Sequence, residues 1–405
     1  MKQKLYLILS CILLSQAVSV HAQTCADGRY YKEIFGYTMD SVIYSDTFGL
    51  KVDIYQPTGD TFSARPLILL AHEGTFVSGN RESDMTVDSL CVRFAKRGYV
   101  TASIDYRLGN IGSMIGPDSG YAINEVIQAV SDGKAAIRFF VKDRATSNNY
   151  RIDTNNIFIG GNSAGAVLYM HVGYMQDTAG LPADIINALD SNGGFEGNSG
   201  NAGYTTKSKG VIDLAGGLNR VTFVQPGGKP SVNCQGDQDA IVPYTCADAY
   251  GGAIFVELCG LGSLMPRYTA ESIYNMSMVF PGAGHVPWDT DPAQFNTVDS
   301  FVSVFLYNYS CPGMTEPNSV SNVQSNTEVN LYPNPANDVL NLAASQAVKE
   351  ISVYDETGRT VFQVSGINAT RYAINTSHFS AGLYFVKMKF SDEDNAPMVK
   401  RIVIE

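Results

Sequence analysis

Histidine, tryptophan and basic charge are all scarce in this chain, and each scarcity narrows what it can do. Five His and one Trp occur among 405 residues, and the seven Cys include no C-x-x-C pair. A metal or nucleotide cofactor needs clustered ligands at metal spacing or a glycine-rich phosphate loop, and neither is present, so no cofactor is implied. Lys and Arg number 28 against 39 Asp and Glu, a formal net charge of −11. That balance denies the chain the basic face on which nucleic acid or an anionic membrane binds. Beyond residue 22 no stretch approaches the ~18 consecutive apolar residues of a membrane span.

What the chain does have begins with Met1-Lys2-Gln3-Lys4, an apolar run from Leu5 to Leu14, and Val20-His21-Ala22. A charged start, a short apolar stretch and a small-residue cleavage site read as a secretory signal peptide over residues 1–22. Cys11 leaves with it. Cys25, Cys91, Cys234, Cys246, Cys259 and Cys311 remain, and in an exported chain they read as up to three disulfides of undetermined pairing.

At 405 residues the chain exceeds one average domain. Short apolar runs at Leu50–Tyr55, Pro66–His72, Tyr99–Asp105, Ile157–Gly161, Gly210–Ala215, Pro230–Cys234 and Met276–Phe280 alternate with helical patterns at Glu82–Arg97, Ala122–Val141, Ala164–Met175 and Pro292–Tyr309. Continuous apolar strands alternating with helices predict an α/β fold, a mostly parallel sheet covered on both faces. The Gly-, Asn- and Ser-rich stretch Asp177–Lys209 breaks the pattern and is expected to cap the site. A polar, structure-poor linker over 313–328 then separates a domain spanning 23–312 from one spanning 329–405. The latter holds six short strands with turn residues between them, which suggests a small β-sandwich.

The sharpest local signal is Gly161-Asn162-Ser163-Ala164-Gly165, which follows a strand and opens a helix. Such a turn lifts Ser163 as a nucleophile, with the backbone N–H of Ala164 facing a developing oxyanion. The base must be a histidine. His21 is removed and His378 lies beyond the linker. His171 sits about two turns down the nucleophile helix, and His72 ends a strand and shapes a loop. His285, in the loop after the last strand, is left as the base. The acid that orients it should come from a strand end between the two. Asp237 and Asp239 both qualify, and Asp239 is preferred because it leads into the apolar Ile241-Val242-Pro243 turn, whereas Asp237 suits turn initiation. The turn His72-Glu73-Gly74-Thr75-Phe76 supplies further N–H groups, from Gly74 and Thr75. Tyr174, Phe195, Tyr204, Phe223 and Trp288 are candidates for lining a pocket, although packing is the commoner role of such residues.

Val52-Asp53-Ile54-Tyr55, His72–Phe76, Asp105-Tyr106-Arg107-Leu108, the Ser163 turn, Gly236–Pro243 and Gly284-His285, in that order, resemble α/β-hydrolase carboxylesterases of the hormone-sensitive-lipase and dietary feruloyl-esterase branch. The resemblance covers residues 40–310 and implies an eight-stranded sheet and a Ser-His-Asp mechanism. Glu73 and Thr75 stand where that group usually carries glycine. A carboxylate aimed inward there would repel an oxyanion, so Glu73 is expected to turn outward, toward Arg81 or Arg107. The tail, with Leu331-Tyr332-Pro333-Asn334-Pro335, Ala381-Gly382-Leu383-Tyr384 and Lys400-Arg401-Ile402-Val403, resembles the type IX secretion sorting domain of Bacteroidetes-group bacteria. That makes the secretion machinery a partner and places the protein outside the cell or on its surface.

The implied function is a secreted serine carboxylic ester hydrolase acting on acyl, acetyl or feruloyl esters of polysaccharides. Short-chain, lipase-like or polyester hydrolysis comes second and serine peptidase activity third. A non-catalytic surface binding protein comes last, because Ser163, His285 and Asp239 are all present.

Overall fold

The computed structural model describes residue 25 and residues 27–115, 119–311, 329–355, 359–391 and 398–404. The signal peptide and linker read from the sequence, residues 1–22 and 313–328, lie outside the described residues. The chain divides into two compact units, Met1–Met314 and Thr315–Glu405. No described helix is long and apolar enough to cross a membrane.

In the first unit the strands are β1 (Gly36–Ser45), β2 (Leu50–Thr58), β3 (Arg65–Ala71), β4 (Val100–Ile104), β5 (Ile152–Asn162), β6 (Gly210–Leu214), β7 (Ser231–Gly236), β8 (Ala247–Asp248), β9 (Ile254–Leu258) and β10 (Asn275–Phe280). Eight of them form one sheet in the order β1-β2-β4-β3-β5-β6-β7-β10, and β8 pairs with β9 in a separate ribbon. Pairing is parallel from β4 through β10 and antiparallel at β1–β2 and β2–β4. The sequence cause is plain in β3, whose seven residues are all buried. Leu67, Leu69 and Ala71 enter the core on one face, while Ile68 and Leu70 enter the core on the other. The Ser119–Ala145 and Ala164–Tyr174 helices contribute to the first core, and the Met85–Lys96 and Pro292–Ser310 helices to the second. Burying both strand faces is what the continuous apolar runs require.

Several elements depart from the sequence reading. Strand β1 is an edge strand with mostly exposed side chains, so it carries little apolar signal. The stretch 177–209 contains a helix, Ala183–Ser191, which buries Ile185, Ala188 and Leu189. Of the three disulfides that six cysteines allow, two form, Cys25–Cys311 and Cys246–Cys259. Cys91 and Cys234 are instead buried free thiols within one core, where cysteine behaves as a small apolar side chain.

The second unit contains β11 (Val329–Tyr332), β12 (Val339–Asp355), β13 (Thr360–Asn375), β14 (Gly382–Phe390) and β15 (Met398–Ile404), all antiparallel. Two strands expected at Val339–Leu342 and Glu350–Tyr354 are one. β12 changes partners along its length, meeting β11 through its first half and β14 through its second. Leu340, Leu342, Val348, Ile351 and Val353 of β12 lie in a core of this unit's own.

Candidate active site

Ser163 sits at the carboxyl end of β5, where strand turns into helix with φ 51° and ψ −116°. A non-glycine residue in this region is strained and persists only where its surroundings over-determine it. Here they do. The Ser163 N–H donates to the Leu214 carbonyl at 2.8 Å and its carbonyl accepts from Val167 N–H at 2.9 Å. A Cβ on Gly161 would lie 2.4 Å from the Ala71 carbonyl oxygen, and one on Gly165 would lie 2.0 Å from it. The two glycines therefore let the turn press against the end of β3. Asn162 faces the other way, accepting from Trp288 Nε1 at 3.2 Å and donating to Asp289 at 3.3 Å. Neither Trp288 nor Asp289 is suggested by a motif.

His285, on the loop after β10, brings its Nε2 to 2.7 Å from Ser163 Oγ and its Nδ1 to 2.7 Å from Asp239 Oδ2. Asp239 is buried, and its Oδ1 accepts from the backbone N–H groups of Ile241 at 2.9 Å and Val242 at 3.0 Å. Asp237 is elsewhere, its Oδ1 accepting from Gly282 N–H at 2.7 Å and so pinning the histidine loop. The three residues selected from sequence are thus brought together in a continuous hydrogen-bonded path. With a carboxylate at Asp239, Nδ1 of His285 carries the proton and Nε2 is free to accept one.

After β3, Gly74, Thr75 and Phe76 all have positive φ, 121°, 54° and 60°. Only glycine fits at residue 74, since a Cβ would lie 2.0 Å from the Ser78 carbonyl oxygen. Thr75, Ser163 and Ala164 line one cavity, so the loop and the first turn of the Ala164–Tyr174 helix flank the same space. His72 is buried and stacks on Tyr106 with ring centroids 4.2 Å apart. His171 is buried in the helix, its Nδ1 bonded to the Val167 carbonyl at 2.8 Å, and burial lowers its pKa to about 4.

Glu73 does not turn toward either arginine. Arg81 is taken by Asp53 at 2.8 Å and Asp105 at 3.1 Å, and Arg107 by Asp132 at 2.7 Å. Glu73 is half-buried, and burial first, then the charges of Asp84 and Asp289, push its pKa up to about 7 against the opposing effect of His285.

The cavity beside Ser163 is almost wholly apolar. Its walls include Phe76, Met114, Val126 and Val167, and its roof is the β8–β9 ribbon through Ile254, Val256 and Leu258. No residue of 177–209 lines it. That stretch lies instead along the Ser119–Ala145 helix, with Ser199 Oγ 2.8 Å from Ser131 Oγ and Arg138 donating to the Glu196 carbonyl at 2.8 Å. The wall expected from that stretch is supplied here by the ribbon, which the sequence pattern did not reveal, while Ile185 of the stretch lines the adjoining cavity. None of Tyr174, Phe195, Tyr204, Phe223 or Trp288 lines this cavity, but Phe223 lines the one adjoining it.

Residues 52–219 match the model of BD-FAE, an α/β-hydrolase esterase family, and residues 330–405 match the secretion system C-terminal sorting domain. The first unit has the α/β-hydrolase fold. Among solved structures, the propionate-bound esterase 2 of the Planctomycetes species Thermogutta terrifontis is 18% identical. The match covers 71% of this chain and 99% of that one with a TM-score of 0.50. The apo form of the same esterase is 19% identical over 69% of this chain and 97% of that one, with a TM-score of 0.48. At such identity the first of these likenesses speaks to the fold alone. No curated protein matches by sequence. The sorting domain directs the chain through type IX secretion to the cell surface or beyond.

Proposed function

We propose that the α/β-hydrolase unit hydrolyses carboxylic esters through an acyl-enzyme on Ser163. The observation that carries this reading is the pair of 2.7 Å contacts linking Ser163 Oγ, His285 and Asp239. Ser163 Oγ attacks the ester carbonyl while His285 Nε2 takes its proton. The same proton then passes to the leaving alcohol, and water, deprotonated by His285, cleaves the acyl-enzyme. Asp239 fixes the Nδ1–H tautomer and stabilises the imidazolium. The backbone N–H groups of Gly74, Thr75 and Ala164 are assigned to the oxyanion, each such donor being worth about 2.7–4 kcal/mol in the transition state.

Secretion puts the substrate outside the cell, which favours acyl, acetyl or feruloyl esters of polysaccharides. The apolar cavity beside Ser163 favours the second reading, hydrolysis of short-chain or lipase-like esters, because an apolar lining rewards alkyl groups and leaves polar ones without partners. The test is hydrolysis of p-nitrophenyl esters, methyl ferulate and acetylated xylan by the mature enzyme and its Ser163→Ala variant. Turnover that disappears in the variant is the expected result. A wild type that cleaves no ester, or a variant that keeps its rate, overturns the proposal.

A further inference from the structure

A second apolar cavity adjoins the first. Val126, Val256 and Leu258 line both, so the two spaces share one wall of three aliphatic side chains. The far walls are Ile127, His171, Met175, Ile185 and Phe223.

Two features say what such a tract accepts. The leaving alcohol must sit against His285 Nε2 to receive its proton, yet His285 does not line the first cavity, whereas Ser163, Ala164 and Val167 do. The cavity thus falls to the acyl half of the ester. The polar groups of the far compartment, moreover, are already satisfied. His171 Nδ1 faces a carbonyl, which can only accept, so Nδ1 carries the proton, and Nε2 accepts from Asn219 N–H at 3.2 Å. The Asn219 side chain donates to the Glu257 carbonyl at 3.0 Å and accepts from Arg220 Nη2 at 2.8 Å. A phenol or hydroxyl arriving there would lose water and gain no partner. An alkyl chain would only gain.

We propose that the two cavities are one tract for an unbranched aliphatic acyl chain. It runs from Ser163 past a constriction of Val126, Val256 and Leu258 to His171 and Phe223, and makes medium-chain aliphatic esters the preferred substrates over acetyl or hydroxycinnamoyl ones. Val256 and Leu258 are half-buried residues of the ribbon, so a change of side-chain rotamer on that element opens the passage. The inference rests on the Ser163 acyl-enzyme reading.

The test measures kcat/KM for p-nitrophenyl esters from acetate to dodecanoate, with p-nitrophenyl ferulate alongside. The enzymes are the full chain, its Val256→Phe variant, which blocks the constriction, and its Val256→Ala variant, which widens it. For the wild type, kcat/KM should rise roughly fourfold per methylene until the tract is full, with octanoate ahead of both acetate and ferulate. Phe at 256 should move the optimum to shorter chains and Ala should move it to longer ones, a pair of opposite shifts that general misfolding does not produce. An optimum at acetate, ferulate outpacing octanoate, or superimposable chain-length profiles in the three proteins overturns the tract. A wild type inactive on every ester overturns instead the reading on which it rests. Should the Phe variant not fold, the wild-type profile and the Ala variant decide.

Discussion

Asp84 accepts a hydrogen bond from the backbone N–H of Glu73 at 2.9 Å, tying a helix N-terminus to the loop that follows β3. Its other oxygen caps the Met85–Lys96 helix by accepting from Val87 N–H at 3.0 Å. One carboxylate thus fixes two elements, and Glu73 and Asp289 are its acidic neighbours. Asp289 accepts from Thr86 Oγ1 at 2.6 Å and from the Asn162 amide, so the acidic group reaches the residue beside Ser163.

This crowding has a consequence for stability. Burial, opposed by the hydrogen bonds from Val87 and Glu73 N–H and reinforced by the repulsion of Asp289, pushes Asp84 up to about 6, and burial with the repulsion of Asp84 and Asp289 pushes Glu73 up to about 7. His285 works in the opposite direction on Glu73 and Asp289. Both folded-state values lie above the unfolded ones, so the folded protein binds more protons. The stabilisation is complete below about pH 4 and fades as pH rises through about 6 to 7. The melting temperature is expected to be higher at pH 5 than at pH 8, with Glu73→Gln and Asp84→Asn each flattening the slope. Thermal unfolding followed by circular dichroism checks this, and a wild-type melting temperature that is flat or rises from pH 5 to pH 8 would sink it.

Asp239 and Asp237 make a sharper pair. In Asp239→Asn the amide oxygen still accepts from Ile241 and Val242 N–H, which turns the Nδ2 group toward His285. An N–H facing Nδ1 forces the proton onto Nε2, where it points at Ser163 and the base is lost. We expect kcat/KM to fall by about 10⁴, as wrong-tautomer variants of Ser-His-Asp enzymes do, with little change in melting temperature. Asp237→Asn keeps its acceptor toward Gly282 and should lose less than tenfold. Ester hydrolysis by the two variants decides, and the reverse order of damage would transfer the orienting role to Asp237.

Most of the site was legible because its parts are local. Gly161 and Gly165 are dictated by the Ala71 carbonyl, and the strand-to-helix turn that needs them is a short run of sequence. His285 followed by elimination among five histidines. What escaped was set by packing between distant segments. The direction of Glu73 depends on Arg81 and Arg107 already being held by Asp53, Asp105 and Asp132, which no local pattern reveals. The role of Asn162 depends on Trp288 and Asp289, more than a hundred residues away. The ribbon escaped for a different reason. β8 has two residues and β9 five, too few for periodicity to register.

That ribbon walls the cavity with buried Ile254 and with Val256 and Leu258, which pack against the core, and leaves Phe255 and the turn residue Tyr250 exposed. A two-stranded ribbon is marginal in water, and the Cys246–Cys259 disulfide, closing a loop of sequence separation 13, adds a covalent tie to its packing. A loop near that length corresponds to about 3 kcal/mol of unfolded-state entropy. The loop it closes is confined to the ribbon, so that stabilisation is expected to act locally rather than globally. The double variant Cys246→Ser/Cys259→Ser should therefore raise KM for apolar esters several-fold, with kcat largely kept and only a small drop in melting temperature. The Cys25–Cys311 bridge spans 286 residues and closes the whole first unit, so Cys25→Ser/Cys311→Ser should do the opposite, lowering the melting temperature while KM holds. Kinetics and thermal melts on the two variants separate the roles. If the ribbon variant binds ester as tightly as the wild type, the roof is held by its apolar contacts with Val126 and Met114 and the disulfide is dispensable to the site.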